Sequence, residues 1–466
     1  GSGDPYAGLD EQEAAALREA SRLGFPLPSW FGWKTMGVHA FTAVYPGIVA
    51  ADPTYFDDFW SKPGYLGHDH PEQLKDDRLQ FRTRIAGLLT EDQAQAKGIA
   101  TGRIAGTARG TADLAWKAVV SDGSAAPVGL VLGGTPPPVQ FLGGDLIVLS
   151  GAAKGQRLPL REIAGDAVLF GVPNYEVLAK LRPGDEVQVD NSNFLAAQTY
   201  HRHQVPGPEY KVYDQFRGPD GKPLYPQRKL LLGPLFSSAT AGAVPSGRFA
   251  GKMIVVESLW DREAVPWQAD WYRQRVEENL GAAAGNHFRV WMTDRALHGG
   301  VEDPTRVVSY IPVLQQALRD LSAWVERGTP APASTNYRID DGQVLVPATA
   351  AERKGIQPVV VLRADGGAKA TVAVGQPVRL TATAEVPPGT GRIVSAEWDF
   401  EGAGTFATPA KPTGGARSRA TYAASHVFTQ PGTYFPVLRV ASERRGNTAA
   451  PYAHVRNLGR VRVVVR

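Results

Sequence analysis

Two side chains in the second half of the chain have the types and the order of a catalytic acid and base. His298 follows the apolar run HFRVWM by a few residues and stands directly before Gly299 and Gly300. Asp261 follows the apolar run GKMIVVES one helix-sized segment earlier. A carboxylate bonded to one ring nitrogen holds an imidazole in one tautomer, which leaves the other nitrogen to take a proton from a hydroxyl nucleophile. The pattern therefore predicts that Asp261 orients His298 as a general base.

The sequence around this pair has the pattern of a strand–helix–strand–helix unit. Both apolar runs are typical of strands buried in a parallel sheet, and Pro266 and Gly281 bracket a helix between them. We predict a second long helix that opens at Asp303-Pro304. Its apolar side is formed by Val307, Ile311, Leu314, Leu318, Leu321 and Val325, which recur in steps of four and three. Because the two strands should lie parallel, the acid and the base should emerge at the same edge of the sheet.

Each of these residues also has a purely structural interpretation. Asp261 has a position suited to capping the helix that starts near Pro266, and an isolated histidine is often a structural residue. Two other carboxylates compete with Asp261 for the role of the acid. Asp294 lies shortly before His298, and Glu257 lies inside the first strand. The order and placement of Asp261 and His298 on consecutive strand ends favour this pair over the alternatives.

The segment GKMIVVESLWDREAVPWQADWYRQRVEENLG, followed by HFRVWMTDRALHGG, resembles the closing part of secreted α/β-hydrolases, including the tannase and feruloyl-esterase-like group. The resemblance is clear for about 247–327 and looser for 1–97. It implies that Asp261 is the orienting acid and His298 the general base of an exported serine-type hydrolase. The implied substrate is a small-molecule or polymer-linked carboxylic ester. Residues predicted to line the substrate site are Trp260, Tyr200 and His201.

The nucleophile that such a triad needs does not occur in its usual pattern. The chain contains no G-x-S-x-G, the turn that presents the serine of this fold. Ser150, Ser237 and Ser238 follow or precede strands without the strand–turn–helix context. We therefore predict that the serine lies in a missing or separate N-terminal segment, or in an N-terminal companion chain. A non-catalytic surface-binding or adhesion protein with a degenerate hydrolase body is the alternative, and acyl transfer with the same residues also stays open.

The spacing of apolar residues, glycines and prolines along the chain predicts an α/β domain that is interrupted by a mostly β region and followed by an all-β domain. One strand of the α/β sheet is expected in the run AVYPGIVA, and a helix over 10–23 has Asp10 as its cap. Short apolar runs punctuated by Gly and Pro predict a β-rich lid, and GTPAPAST predicts a stiff linker. The predicted parts are a partial α/β-hydrolase domain (1–97 and 193–327), the lid (98–192), a linker (328–356) and a β-sandwich (357–466).

The last of these parts carries its own signature. The runs AEWDFEGAGTF and ASHVFTQPGTYFPVLRV resemble the PKD family of Ig-like sandwiches, which implies a non-catalytic extracellular module. Pro436, inside the second run, suits a strand edge or a bulge. Asp399 is an isolated candidate for a Ca²⁺ ligand. The pair His201 and His203 has metal-like spacing, but we interpret it as structural because no third ligand is evident.

Composition excludes several classes of protein. With 466 residues and a net charge of +4, the chain has no Lys/Arg block, so nucleic-acid binding is not expected. The absence of cysteine excludes disulfides, thiolate metal sites and cysteine catalysis. No cofactor and no metal are predicted. No apolar run is long enough to span a membrane, and together with the two resemblances this indicates a secreted or periplasmic protein.

Overall fold

The computed structural model describes residues 4–35, 38–99, 109–234 and 244–466. The chain forms two compact units, and one of them is discontinuous in sequence. The first unit combines Gly1–Trp33 with Val244–Arg466, and the second is Lys34–Ala243. The predicted catalytic pair lies in the first unit, whereas the predicted lid lies in the second.

A closed six-stranded barrel forms the centre of the second unit. All neighbouring strands are antiparallel, in the order β1-β2-β5-β4-β3-β6 with β6 returning to β1. Alternate side chains fill its interior, among them Leu130, Leu146 and Leu160. The first strand begins well before the predicted boundary at residue 98. The strands are β1 (Gln80–Thr90), β2 (Pro127–Leu132), β3 (Gly144–Val148), β4 (Arg157–Ala164), β5 (Ala167–Phe170) and β6 (Glu186–Asp190).

Helices surround the barrel, and one of them replaces a predicted strand. The run AVYPGIVA is helical, because Tyr45 and Ile48 are both buried at helical spacing and the Tyr45 hydroxyl donates to the carbonyl of Gly144 at 2.8 Å. Tertiary packing thus overrides the β-branched and aromatic composition of the run. The α-helices of this unit are Val38–Ala51, Pro53–Ser61, Leu66–Asp69, Glu91–Ala96, Arg109–Lys117, Tyr175–Leu178 and Ser192–Gln198.

The first unit opens with the helix Glu11–Arg22, which confirms the prediction for 10–23. The side chain of Asp10 accepts from the backbone N–H of Glu13, and the Glu13 side chain accepts from the backbone N–H of Asp10. This reciprocal pair fixes the start of the helix. A side chain far along the chain holds its other end, since Trp267 Nε1 donates to the carbonyl of Leu23 at 2.8 Å.

The α/β part of the first unit has the predicted order of elements. Strands β7 (Met253–Ser258) and β8 (Phe288–Thr293) pair in parallel, as expected, and the helix Trp267–Leu280 joins them. This helix covers the face that carries Met253 and Val255, and the helix Ile311–Arg327 covers the opposite face. Within the described residues β7 pairs only with β8. The parallel sheet of the described residues therefore has two strands, and the run expected as a third strand of an α/β-hydrolase sheet is a helix.

The helix Ile311–Arg327 differs from the prediction in both its start and its buried side. Asp303 and Pro304 form a turn in which the Asp303 carboxylate accepts from the N–H and hydroxyl of Thr305, so the helix starts later. Its buried face carries Val313, Ala317 and Trp324, which pack on Trp291. The large indole ring of Trp324 therefore decides which side faces the sheet. The predicted apolar row is left largely exposed at Ile311, Leu314, Leu318 and Val325.

The segment predicted as a linker is hydrogen-bonded along strand β8 of the parallel sheet. The N–H of Thr335 donates to the carbonyl of Val290 at 2.9 Å, and the Ser334 hydroxyl accepts from the N–H of Val290 at 3.1 Å. These bonds cover the outer edge of β8, and no strand of the described residues lies beside the outer edge of β7. A hairpin of β9 (Arg338–Asp340) and β10 (Gln343–Leu345) and a short helix, Ala350–Arg353, follow.

The C-terminal domain is a β-sandwich, as predicted. Its sheets have the orders β11-β13-β17-β16, β12-β21-β18 and β15-β14-β19-β20. Pro436 lies between β18 and β19, where the chain passes from one sheet to another, so this proline breaks the predicted strand. The strands are β11 (Val359–Ala364), β12 (Lys369–Val372), β13 (Pro377–Glu385), β14 (Arg392–Asp399), β15 (Thr408–Pro409), β16 (Pro412–Ala416), β17 (Arg419–Val427), β18 (Gly432–Tyr434), β19 (Val437–Glu443), β20 (Val455–Arg460) and β21 (Arg462–Val465).

Candidate active site

Asp261 and His298 lie in the loops at the carboxyl ends of β7 and β8, and their side chains meet. His298 Nδ1 is 2.8 Å from Asp261 Oδ2. The two loops are themselves joined, because the N–H of Leu259 donates to the carbonyl of Thr293 and the N–H of Trp260 donates to the carbonyl of Ala296, both at 2.9 Å. The extended ladder brings both side chains to the same edge of the sheet, as the order of elements implied.

The carboxylate is fixed from both of its oxygens. Asp261 Oδ1 accepts from the backbone N–H groups of Glu263 at 2.8 Å and Ala264 at 2.9 Å, and Oδ2 faces the imidazole. Because a carboxylate oxygen only accepts, Nδ1 of His298 carries the hydrogen of the pair. The Asp261 side chain is 7% exposed, whereas that of His298 is 54% exposed. Nε2 is therefore the nitrogen that an external group can reach.

The electrostatics of the pair favour a protonatable imidazole. The hydrogen bond that His298 donates to Asp261 raises the pKa of His298 above its ordinary value, against a smaller opposing effect of burial. The neighbouring carboxyl of Glu257 is half-buried in β7, and burial, with repulsion from Asp261 as a second cause, raises its pKa to about 8. Glu257 is therefore neutral near pH 7. In the sequence this residue stands out as an acid inside an otherwise apolar strand, a position in which a carboxyl group is expected to be buried.

The two competing acids have other positions. Asp294 pairs with Arg353, with 3.3 Å between Oδ2 and the guanidinium, and its backbone N–H donates to Gln357. Glu257 is not the carboxylate that bonds to His298. The structure therefore brings His298 together with Asp261 and with neither competitor.

The three predicted lining residues fall into two groups. Trp260 is buried beside the pair, with its ring 6.3 Å from that of Phe31 and the guanidinium carbon of Arg295 5.0 Å from its centre. Tyr200 and His201 belong to the other unit. Tyr200 is 3% exposed and its hydroxyl donates to Asp52, while burial lowers the pKa of His201 to about 4. Both are engaged in the packing of that unit, and their role in lining a substrate site stays a prediction.

Of the candidate serines, Ser150 alone lies in the described residues, and its hydroxyl is engaged in the second unit. The Ser150 hydroxyl accepts from the backbone N–H of Glu186 at 2.7 Å, so this side chain closes a turn of the barrel. Ser237 and Ser238 lie outside the described residues. His203 stacks on Tyr225, with ring centres 3.8 Å apart, which favours the structural interpretation of the His201 and His203 pair. The described parts of the chain contain no group of three or more side chains suited to hold a metal ion.

Asp399, the isolated candidate for a Ca²⁺ ligand, has a structural role. Its carboxylate is buried and accepts from the backbone N–H groups of Gly402 at 3.0 Å, Ala403 at 3.2 Å and Gly404 at 2.7 Å. Both oxygens are engaged in holding the loop after β14. A buried carboxylate with three backbone donors needs no cation to compensate it.

Replacing this carboxylate tests that role. We expect Asp399→Ala to lower the free energy of unfolding of the sandwich by about 1–3 kcal/mol, because three backbone donors lose their acceptor. Denaturant unfolding measures the change. A melting temperature that rises with added Ca²⁺ in the unchanged protein and not in Asp399→Ala would contradict the loop-closing role.

The comparison with protein families matches part of the C-terminal domain. The family model of the PKD domain matches residues 362–452. Solved structures similar to part of this chain include a CARDB domain from Pyrococcus furiosus, with 15% identity, coverage of 24% of this chain and 93% of that one, and a TM-score of 0.18. Another is the PKD domain of an M14-like peptidase from a Thermoplasmatales archaeon, with 12% identity, coverage of 24% and 98%, and a TM-score of 0.18. No curated protein matches the chain.

No helix in the described ranges is long and apolar enough to cross a lipid bilayer.

The strands that follow residue 357 contain the region that the PKD family model matches, with Trp398, Tyr422 and Leu438 in their common core. Family match and sandwich architecture agree, and residues 362–452 are a PKD domain.

Proposed function

We propose that this chain supplies the acid and the base of a Ser-His-Asp triad to an exported serine-type hydrolase that acts on carboxylic esters. The observation that carries the proposal is the 2.8 Å contact between His298 Nδ1 and Asp261 Oδ2, with the imidazole half-exposed at the carboxyl end of a parallel strand. Hydrogen-bonded pairs of this kind orient a histidine for proton transfer at its other nitrogen.

In this proposal each residue of the pair has its own step. His298 Nε2 takes the proton of the serine hydroxyl as the hydroxyl oxygen attacks the ester carbonyl, and then gives that proton to the leaving alcohol. Asp261 keeps the hydrogen on Nδ1 and stabilises the imidazolium that forms. Water repeats the same sequence on the acyl-serine and releases the acid. An acyl acceptor other than water would make the same residues catalyse acyl transfer.

The serine, in this proposal, belongs to an N-terminal segment or companion chain beyond this sequence. The lack of G-x-S-x-G in the chain supports this view. The open edge of β7 supports it as well. Since the N–H groups of Met253 and Leu259 bond to the β8 side, the polar backbone groups of Ile254, Val256 and Ser258 face outward. A strand of the serine-bearing segment would satisfy these groups.

Labelling with a fluorophosphonate probe tests the proposal. In the native assembly, isolated with any companion chain, we expect one serine to be labelled and esters to be hydrolysed. His298→Ala should abolish both, because the serine loses its base. The matched control is His287→Ala, which removes an imidazole at the opposite end of β8 whose Nδ1 bonds to the carbonyl of Gly251. Absence of labelling in the native assembly, or full labelling of His298→Ala, would refute the proposal.

A second candidate function is favoured by the PKD domain itself. PKD domains are typical of extracellular proteins, and the domain makes up about a fifth of this chain. A surface-binding or adhesion protein with a degenerate hydrolase body would keep the fold of the Asp261 and His298 loops without a nucleophile. The labelling experiment separates the two functions, since only the hydrolase contains an activated serine. Both place the protein outside the cytoplasm, in the medium or the periplasm.

A further inference from the structure

A large cleft lies on the first unit, and none of the residues that line it belongs to the loops of Asp261 and His298. Its volume is about 1200 Å³. One wall is the exposed side of the helix Ile311–Arg327 with the segment that follows it, and the other is formed by loops of the PKD domain near 387–390 and 443–451. Clefts that hold drug-sized ligands usually measure about 300–1,000 Å³, so this one has room for a longer, chain-like ligand.

The cleft is positively charged. Its lining contains two carboxylates, and both are already used. Asp320 accepts from the guanidinium of Arg444, and Glu443 accepts from the backbone N–H groups of Arg445 at 2.7 Å and Asn447 at 2.8 Å. The cations of the lining are Arg319, Arg327, Lys354, Arg444 and Arg445. Apart from Arg444, none of them pairs with a carboxylate of the described residues.

The guanidinium of Arg444 is incompletely paired, although it donates to Asp320. Its Nε is buried and has no hydrogen-bond partner in the described structure. Burial also lowers the pKa of its guanidinium, and the opposing attraction of Asp320 is the smaller effect. A cation with a buried, unpaired donor is stabilised when an anion reaches it.

The neutral part of the lining narrows the class of anion. The lining also contains the hydroxyl and amide side chains of Ser322, Thr329, Thr390 and Asn447, and the hydroxyls of Ser322 and Thr390 remain able to accept while they donate to Glu326 and to the carbonyl of Pro387. Aromatic side chains, on which nucleic-acid bases stack, do not occur among the residues that line the cleft. The lining therefore complements a ligand that carries many hydroxyl groups together with negative charges.

We propose that this cleft binds an acidic oligosaccharide, with sugar carboxylates on the four unpaired cations and sugar hydroxyls on the neutral polar groups. Both the α/β part and the PKD domain contribute cations, so the site needs the two together. The proposal does not use Asp261 or His298, and it stands whether or not the chain takes part in ester hydrolysis.

Calorimetric titration of the full chain with a defined oligogalacturonate tests the site. We expect saturable binding that weakens as salt is added, because charge pairs at an open cleft are screened. A neutral oligosaccharide of equal length and oligoglutamate, which has carboxylates without hydroxyls, should bind at least tenfold more weakly. No binding of oligogalacturonate would overturn the proposal. Equal binding of oligoglutamate would overturn the assignment to a sugar.

A matched pair of variants places the binding in the cleft. Arg319→Ala combined with Arg445→Ala removes one cation from each wall and should weaken oligogalacturonate binding by at least tenfold. The control combines Arg363→Ala with Arg379→Ala, two exposed arginines on the sandwich that do not line the cleft. It changes the net charge equally and should leave binding unchanged. Equal loss in the two double variants would show that overall charge, and not this cleft, holds the ligand.

Discussion

Asp261→Asn is expected to lower ester hydrolysis by the native assembly by about 10³–10⁴-fold, because the change reverses the tautomer of His298. In the unchanged protein Asp261 Oδ1 accepts two backbone N–H groups, from Glu263 and Ala264. The asparagine introduced by Asp261→Asn has one carbonyl oxygen, and these two donors claim it. Its NH₂ group then points at His298 and donates to Nδ1. The ring hydrogen moves to Nε2, so Nε2 no longer accepts the serine proton.

The tautomer can be measured without any assay of activity. In this chain alone, ¹⁵N NMR of the imidazoles should show the hydrogen of His298 on Nδ1 in the unchanged protein and on Nε2 in Asp261→Asn. The pKa of His298 should also fall in the variant, because it loses the hydrogen bond that raises this pKa. An unchanged tautomer and pKa in a folded Asp261→Asn protein would show that Asp261 does not orient the ring.

Glu257→Gln is expected to stabilise the first unit in alkaline solution. The pKa of Glu257 is raised to about 8 by burial and by repulsion from Asp261, whereas in the unfolded chain it lies near the ordinary value of 4.5. Between these two pH values the folded state holds a proton that the unfolded state releases. The free energy of unfolding therefore falls as pH rises through this window. Glutamine removes the dependence, and at pH 9 the gain should be on the order of a few kcal/mol.

Denaturant unfolding across pH measures this difference. The advantage of Glu257→Gln should be near zero below pH 4.5, grow up to about pH 8 and stay level above it. Glu263→Gln is the matched control, because it neutralises an exposed side chain in the loop after β7 and leaves the Asp261 hydrogen bonds to the backbone in place. A pH-independent difference for Glu257→Gln, or the same pH dependence in the control, would contradict the assignment.

The candidate site could be predicted because its signals are local. A continuous apolar run, the helix bracketed by Pro266 and Gly281, and a second run fix a crossover whose strand ends lie side by side. Asp261 and His298 follow those ends by so few residues that little freedom remains in where they lie. The same holds for the helix that Asp10 caps, because a capping box is complete within a few residues.

Elements whose form depends on distant partners could not be predicted in this way. The helix Val38–Ala51 has the composition of a strand and is shaped by the contact between Tyr45 and Gly144, which lie far apart in sequence. In the helix Ile311–Arg327 a regular apolar row suggested the wrong face. The ring of Trp324 does not belong to that row, and it packs in the core with Trp291. The side chains of the regular row are therefore left largely exposed to solvent. The spacing of apolar residues indicates that a helix has an apolar side. Here the size of one aromatic ring decided which side of the helix packs against the sheet.

The discontinuous make-up of the first unit has a consequence for the order of events in folding. The N-terminal helix is fastened by Trp267, whose indole bonds to Leu23, and by Gln343, whose amide donates to the carbonyls of Ser21 and Phe25. These partners leave the ribosome long after the helix does, and the whole Lys34–Ala243 unit is synthesised in between. A nascent chain can therefore complete its barrel while its first helix is still without a binding surface. The final closure must therefore join segments separated by the whole insert, at an entropy cost that grows only slowly with the insert's length.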